Sequence, residues 1–238
     1  MERVKWCSMI SGGGTTMEAA LKECHSGRLY KIEPTLIIAS SNHAGGIEKA
    51  RDLGIPHDDI VIIHRKHYGS AKTFGESILA ACQQRKVGVI TQNGWMLKTP
   101  QNVIDAFSGK IFNQHPGPTP DFGGRGMFGR RVHCARLLFV QMTNRAFWTE
   151  AIIQRVAYRY DEGAIVKKRI IAIHEGDTVE DLQARVLPIE HEIQIEMLED
   201  FANGCLEEIS RKHSLVLPGE EQALAEAKRI ACLRYPNG

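Results

Sequence analysis

Short apolar runs alternate with amphipathic stretches over the first two thirds of the chain. That alternation predicts a parallel sheet whose strands are joined by right-handed helical crossovers, with helices on both faces. Residues 4–10, 35–40, 60–63, 87–91 and 111–113 read as strands. Residues 17–24, 47–53, 73–84 and 100–107 read as helices, with Gly54 suited to the position after a helix end and Thr99-Pro100 to an N-cap followed by a first-turn proline.

After Asn113 the alternation gives way to Pro116-Gly117-Pro118-Thr119-Pro120-Asp121-Phe122-Gly123-Gly124, too rich in turn formers for a regular element. A helix over 131–142 follows. Two β-rich runs, 151–160 and 164–173, flank Asp161-Glu162-Gly163 and are expected to pair antiparallel across that turn. The stretch 178–202 contains Pro188, so it is one kinked helix or two in succession, ended by Gly204. A last helical run covers 220–232. The expected fold is one α/β domain, 1–210, built on a mostly parallel Rossmann-like twisted sheet with an antiparallel strand pair towards its end, and a tail, 211–238, holding a short helix.

Composition narrows the class. With 43% hydrophobic and 24% charged residues the chain matches a globular protein, and 30 basic against 28 acidic residues leave a net charge of +2. Such a balance gives no support for a nucleic-acid partner, which needs a concentrated basic face. Cys7, Cys24, Cys82, Cys134, Cys205 and Cys232 show no zinc-like spacing, so reduced thiols and no metal are expected. No apolar leader or membrane-spanning stretch is evident, which makes the expected location cytoplasmic.

Three segments carry candidate chemistry. Ser11-Gly12-Gly13-Gly14-Thr15-Thr16 stands between the first strand and first helix, where backbone N–H groups can cradle a phosphate. It lacks the third glycine of a dinucleotide fingerprint and the lysine of a P-loop, which leaves a single phosphate, while Thr15-x-x-Glu18 also reads as a ligand-free capping box. Asn113 and His115 stand two apart at a strand end, so their side chains point the same way. An asparagine can donate to a carbonyl oxygen that becomes tetrahedral, and a histidine can titrate an amine proton. Asp161, beside Gly163, is either a plain turn residue or a carboxylate that orients the imidazole.

In this order the motifs resemble those of the glycinamide ribonucleotide formyltransferase family: the glycine loop after strand one, Asn113-Gln114-His115-Pro116, and Asp161-Glu162-Gly163-Ala164-Ile165. Gly94-Trp95-Met96, Arg185-Val186 and Glu190-His191 extend the resemblance, which runs over residues 4–203. It implies catalytic roles for Asn113, His115 and Asp161, and a ribonucleotide phosphate held by Gly13, Gly14, Thr15 and Thr16 with Glu190 nearby. It also implies a folate cleft formed by Trp95, Met96 and Leu97 together with Ala157, Tyr158, Arg159 and Tyr160. The implied substrates are glycinamide ribonucleotide and 10-formyltetrahydrofolate, used in purine biosynthesis by a monomer or homodimer without metal. Gln114 departs from the family's usual apolar residue, and Gly117-Pro118-Thr119-Pro120 from its Ser/Ala-Leu-Leu-Pro run. An amino sugar or methionyl-tRNA as acceptor, hydrolysis to formate, and a non-catalytic folate- or nucleotide-binding module are the competing readings.

Overall fold

The computed structural model describes residues 2–211 and 214–238. The chain forms two compact units, one of residues 1–113 and 194–206, the other of residues 114–193 and 207–238.

The first unit holds the parallel strands β1 (Val4–Ile10), β2 (Ile32–Ala39), β3 (Ile60–Ile62), β4 (Val89–Gln92) and β5 (Ile111–His115), the last of which runs on into the second unit. Their order is β3-β2-β1-β4-β5, all parallel. Helices α1 (Thr15–Ser26), α2 (Gly46–Asp52), α3 (Ala71–Gln84) and α4 (Gln101–Ala106) make the crossovers. The inner strands are buried continuously, from Trp6 to Ile10 on β1, with Ser8 the one polar residue, and from Leu36 to Ala39 on β2, as expected of strands covered on both faces. Strand order reverses between β1 and β4. The loops after these two strands therefore meet at the point where such sheets open a crevice for ligands.

The second unit contains α5 (Arg130–Thr143), the antiparallel pair β6 (Trp148–Arg155) and β7 (Ile165–Ala172), the first part of α6 (Val179–Asn203), and α7 (Glu221–Arg234). Its core joins Phe122, Val132, Ala135 and Phe139 to Ala227 and Ala231 of α7. Among the described residues no helix is long and apolar enough to cross a membrane.

The class read from the sequence, α/β with mostly parallel strands and an antiparallel pair, is the class observed. Element ends differ for local reasons. Strand β2 begins at Ile32, not Thr35, because the register shift beside Trp6 accommodates Pro34. Strand β4 begins at Val89, not Val87, since the Val87 N–H is still bonded to the Cys82 carbonyl at 3.0 Å. Strand β5 continues past Asn113 to His115, whose position before Pro116 favours extended backbone. Helix α3 starts earlier than expected, because Ser70 and Thr73 form a reciprocal capping box. At α4 the N-cap is Pro100 itself, with Thr99 instead bonded to the Gln92 amide. Helix α6 runs unbroken through Pro188, and Gly204 follows it with φ 72°.

The largest difference lies between β6 and β7. Strand β6 stops at Arg155, not at Tyr160, so Asp161-Glu162-Gly163 belongs to a longer connection and not to a tight hairpin. Asp161 is left-handed there, at φ 57°, and Gly163 lies so close to Arg155 that an added Cβ would stand 1.7 Å from its carbonyl oxygen.

Candidate active site

At the reversal of strand order in the first unit, the chain leaves β1 through Ser11 and the glycines. Ser11 is the knot of this loop. Its N–H donates to the Gly94 carbonyl at 3.1 Å, and its hydroxyl accepts from the Met96 N–H at 3.0 Å and from Ser40 at 2.9 Å. The glycine loop after β1 is thereby fastened to the Gly94-Trp95-Met96 segment after β4. Sequence reasoning passed over Ser11 as one loop residue among several.

Gly14 is the N-cap of α1, at φ 62°, and an added Cβ would meet the Gly46 backbone at 2.8 Å, so only glycine fits. The capping box read at Thr15-x-x-Glu18 does not form. No side chain caps α1, and the Glu18 carboxylate turns to Lys22 at 2.7 Å and Lys49 at 2.5 Å. The exposed Gly12 and Gly13 thus precede a helix whose N-cap, Gly14, offers no side-chain cap. Trp95 is only 6% exposed and lies nearly parallel to Phe74, with ring centroids 6.4 Å apart, while Met96 is exposed and Leu97 half-buried.

Asn113 ends the first unit's portion of β5 and is half-buried. Two residues further along the same strand, His115 is 3% exposed. Its Nε2 lies 3.1 Å from the Phe122 carbonyl oxygen. A carbonyl only accepts, so Nε2 carries a hydrogen in this bond and Nδ1 is the nitrogen left to exchange a proton. Nδ1 faces Asp161, 3.7 Å from Oδ1.

The Asp161 carboxylate is fixed from two sides. The Gln154 amide donates to Oδ1 at 2.7 Å and the Gly124 N–H to Oδ2 at 2.9 Å. Gln154 is aimed by the register shift after Ile153 and in turn accepts from the Thr119 hydroxyl at 2.9 Å. A cleft of about 450 Å³ opens beside Asp161, lined among others by Thr119, Pro120, Ala164 and Arg211.

Burial pushes the His115 imidazole below its ordinary pKa, against the attraction of Asp161, so the ring is neutral at neutral pH. His133 on α5, which faces it, is lowered to about 4, again by burial first. Glu190, two residues past Pro188, is 6% exposed, and burial raises its carboxyl to about 8. The four residues Ala157, Tyr158, Arg159 and Tyr160 form the loop after β6, with Tyr158 and Tyr160 exposed. Among the described residues no cluster of histidine, cysteine, aspartate or glutamate could hold a metal ion.

The structure thus brings His115 and Asp161 together, and within the first unit it joins the glycine loop to the Trp95 segment. Sequence reasoning missed Ser11, Thr119 and Gln154. Of these only Gln154 had a signal, an amide directly after the apolar run 151–153 of a strand.

The first unit carries a glycine loop at its topological switch point and the second a buried imidazole–carboxylate pair, features that belong to α/β enzymes. Residues 4–198 match the formyl transferase family, and the chain belongs to it. A chloroplastic phosphoribosylglycinamide formyltransferase of Vigna unguiculata is 30% identical over 200 residues, 84% of this chain and 61% of the relative. Glycinamide ribonucleotide transformylase 1 of Symbiobacterium toebii superimposes with a TM-score of 0.74 at 28% identity, covering 85% of this chain and 89% of that one. A Brucella melitensis phosphoribosylglycinamide formyltransferase gives 0.73 at 28% identity, covering 87% and 100%. The chain spans a little over three fifths of the plant relatives, 61% and 64% of the Vigna and Arabidopsis proteins.

Proposed function

We propose that this chain transfers the formyl group of 10-formyltetrahydrofolate to the amine of glycinamide ribonucleotide, a step of purine biosynthesis, in the cytoplasm and as a monomer or homodimer. Residues 1–210 are the formyltransferase domain in this reading. The observation that carries it is the buried His115–Asp161 pair, with Nδ1 3.7 Å from a carboxylate held by Gln154 and Gly124. Family membership and the names of the relatives supply the transferred group and the acceptor.

The amine nitrogen attacks the formyl carbon directly, since the motifs position no serine or cysteine nucleophile. Asn113 donates to the oxygen as it gains charge. Neutral His115 takes the amine proton at Nδ1, and the Asp161 carboxylate stabilises the imidazolium so formed. An ordered water carries the proton on to N10 of the folate as the bond from N10 to the formyl carbon breaks. The products are the N-formyl ribonucleotide and tetrahydrofolate.

Gly13, Gly14, Thr15 and Thr16 hold the acceptor's phosphate with their N–H groups. Glu190, protonated at neutral pH, can both donate to and accept from a ribose hydroxyl. The pterin lies against Trp95, Met96 and Leu97 and against Ala157, Tyr158, Arg159 and Tyr160.

Purified protein mixed with glycinamide ribonucleotide and 10-formyltetrahydrofolate, followed by absorbance, tests the reading. Formation of tetrahydrofolate that depends on the amine supports it. Equal discharge of the folate without the amine, or faster transfer to an amino sugar or methionyl-tRNA, overturns it.

A further inference from the structure

Lys228 stands on α7, beyond residue 198 where the family match stops. Its Nζ donates to the Gly123 carbonyl at 3.0 Å. The neighbours of Gly123 are the groups that hold the proton-transfer pair: the Phe122 carbonyl bonds His115 Nε2, and the Gly124 N–H bonds Asp161 Oδ2. Three consecutive residues are thus tied to His115, Lys228 and Asp161 in turn. There is no slack in the middle, because a Cβ on Gly123 would stand 2.5 Å from the Cβ of Asp161.

We infer that Lys228 is a positioning residue for formyl transfer, fixing the segment 122–124 and so the spacing and charge balance of His115 and Asp161. The inference rests on the formyl-transfer reading above. Helix α7 can serve as an anchor because it is part of the unit's core, through Ala227 and Ala231. A second fastening holds the end of this helix near the same loop: Arg131 donates to the carbonyls of Tyr235, Pro236 and Gly126 at 2.8, 2.6 and 2.8 Å.

The charges around the imidazole define what the lysine does there. His115 is faced by the Asp161 carboxylate, the Phe122 carbonyl, Lys228 and, from α5, His133. Lys228 is itself half-buried among Asp121, Asp161 and Cys232, and burial lowers its pKa. Its positive charge opposes protonation of His115 and helps keep the ring a base. Neutralising Lys228 therefore raises the pH at which His115 titrates.

The test uses the full chain with Lys228→Met, Lys228→Gln and Lys228→Arg. Turnover is measured with glycinamide ribonucleotide and 10-formyltetrahydrofolate, and the His115 ring is titrated by NMR. Lys228→Met should lower kcat about tenfold or more, a modest misplacement by the standard of such sites, with KM changed less than about twofold. Its His115 should titrate at higher pH. Lys228→Arg should restore most of the turnover and a His115 titration near that of the wild type, a rescue that a merely structural role would not tie to charge. Wild-type kcat and wild-type His115 titration in Lys228→Met overturn the inference. Should that variant not fold, equal titration of His115 in Lys228→Gln and Lys228→Arg overturns it instead. The titration needs no turnover, so an inactive wild-type chain whose His115 still responds to Lys228 would sink the formyl-transfer reading and leave the bracket standing.

Discussion

The side-chain amide of Gln154 donates to Asp161 Oδ1 at 2.7 Å while its oxygen accepts from the Thr119 hydroxyl at 2.9 Å. Both Gln154 and Thr119 are 2% exposed. Gln154→Leu keeps the volume and strands both partners. The expected result is a loss of about 1–3 kcal/mol in stability by urea unfolding, the cost of a buried polar group left without its bond. Turnover should fall by about tenfold, because Asp161 then turns on one hydrogen bond. A variant as stable and active as the wild type would refute the role given to this amide.

Asp161→Asn removes the charge that works against burial at His115. Asp161 raises the imidazole pKa, so its neutralisation lowers that pKa further. The acid limb of the profile of kcat/KM against pH should move to lower pH, and turnover should drop by about a hundredfold or more, as for loss of an acid–base partner. Lys228 and His133 stay in place in both proteins, so the difference between the two profiles reports Asp161. An unmoved limb would separate His115 from Asp161 functionally.

Asn113→Ala should reduce turnover about a hundredfold, equivalent to about 2.7 kcal/mol in the barrier, if its amide donates to the developing oxyanion. The residue is half-buried at the end of its unit's strand, so thermal unfolding should change little. Steady-state kinetics on a folded variant decide the matter, and near-normal turnover would rule the role out.

Glu190 links stability to pH. Its folded-state pKa of about 8 lies above the ordinary 4.5, so the folded protein holds this proton more tightly than the unfolded chain. Its contribution is fully present below about pH 4.5 and is lost as pH rises through about 8. The span corresponds to roughly 5 kcal/mol. Glu190→Gln should lack this dependence and gain on the wild type by up to that amount at pH 9, while differing little at pH 4.5. Parallel urea unfolding curves for the two proteins across this range would disprove it.

The frame of this protein was legible because its inner strands are buried on both faces. Val4–Ile10 shows this best: its last five residues are all buried, and the strand ends at a glycine loop. Pairing of Asp161 with His115 could be anticipated only through resemblance, since 46 residues separate them and nothing local in either motif names the other. The hairpin reading of Asp161-Glu162-Gly163 failed at its length. Val156, Tyr158 and Tyr160 carry β-forming side chains, yet strand β6 ends at Arg155, so their propensity is overridden. Lys228 was invisible for another reason: its partner is a main-chain carbonyl 105 positions away, and main-chain atoms leave no mark in a sequence.

That last point bears on the loop that departs most from the family pattern. His115, Lys228 and Asp161 grip residues 122–124 solely by carbonyl oxygens and an amide hydrogen, atoms that every amino acid other than proline supplies. These contacts place no demand of their own on side-chain identity, whereas just upstream Gly117, where an added Cβ would stand 2.4 Å from Val132, and Thr119, which bonds Gln154, are constrained by their side-chain positions. The same holds at Gly123, where even a methyl group has nowhere to go.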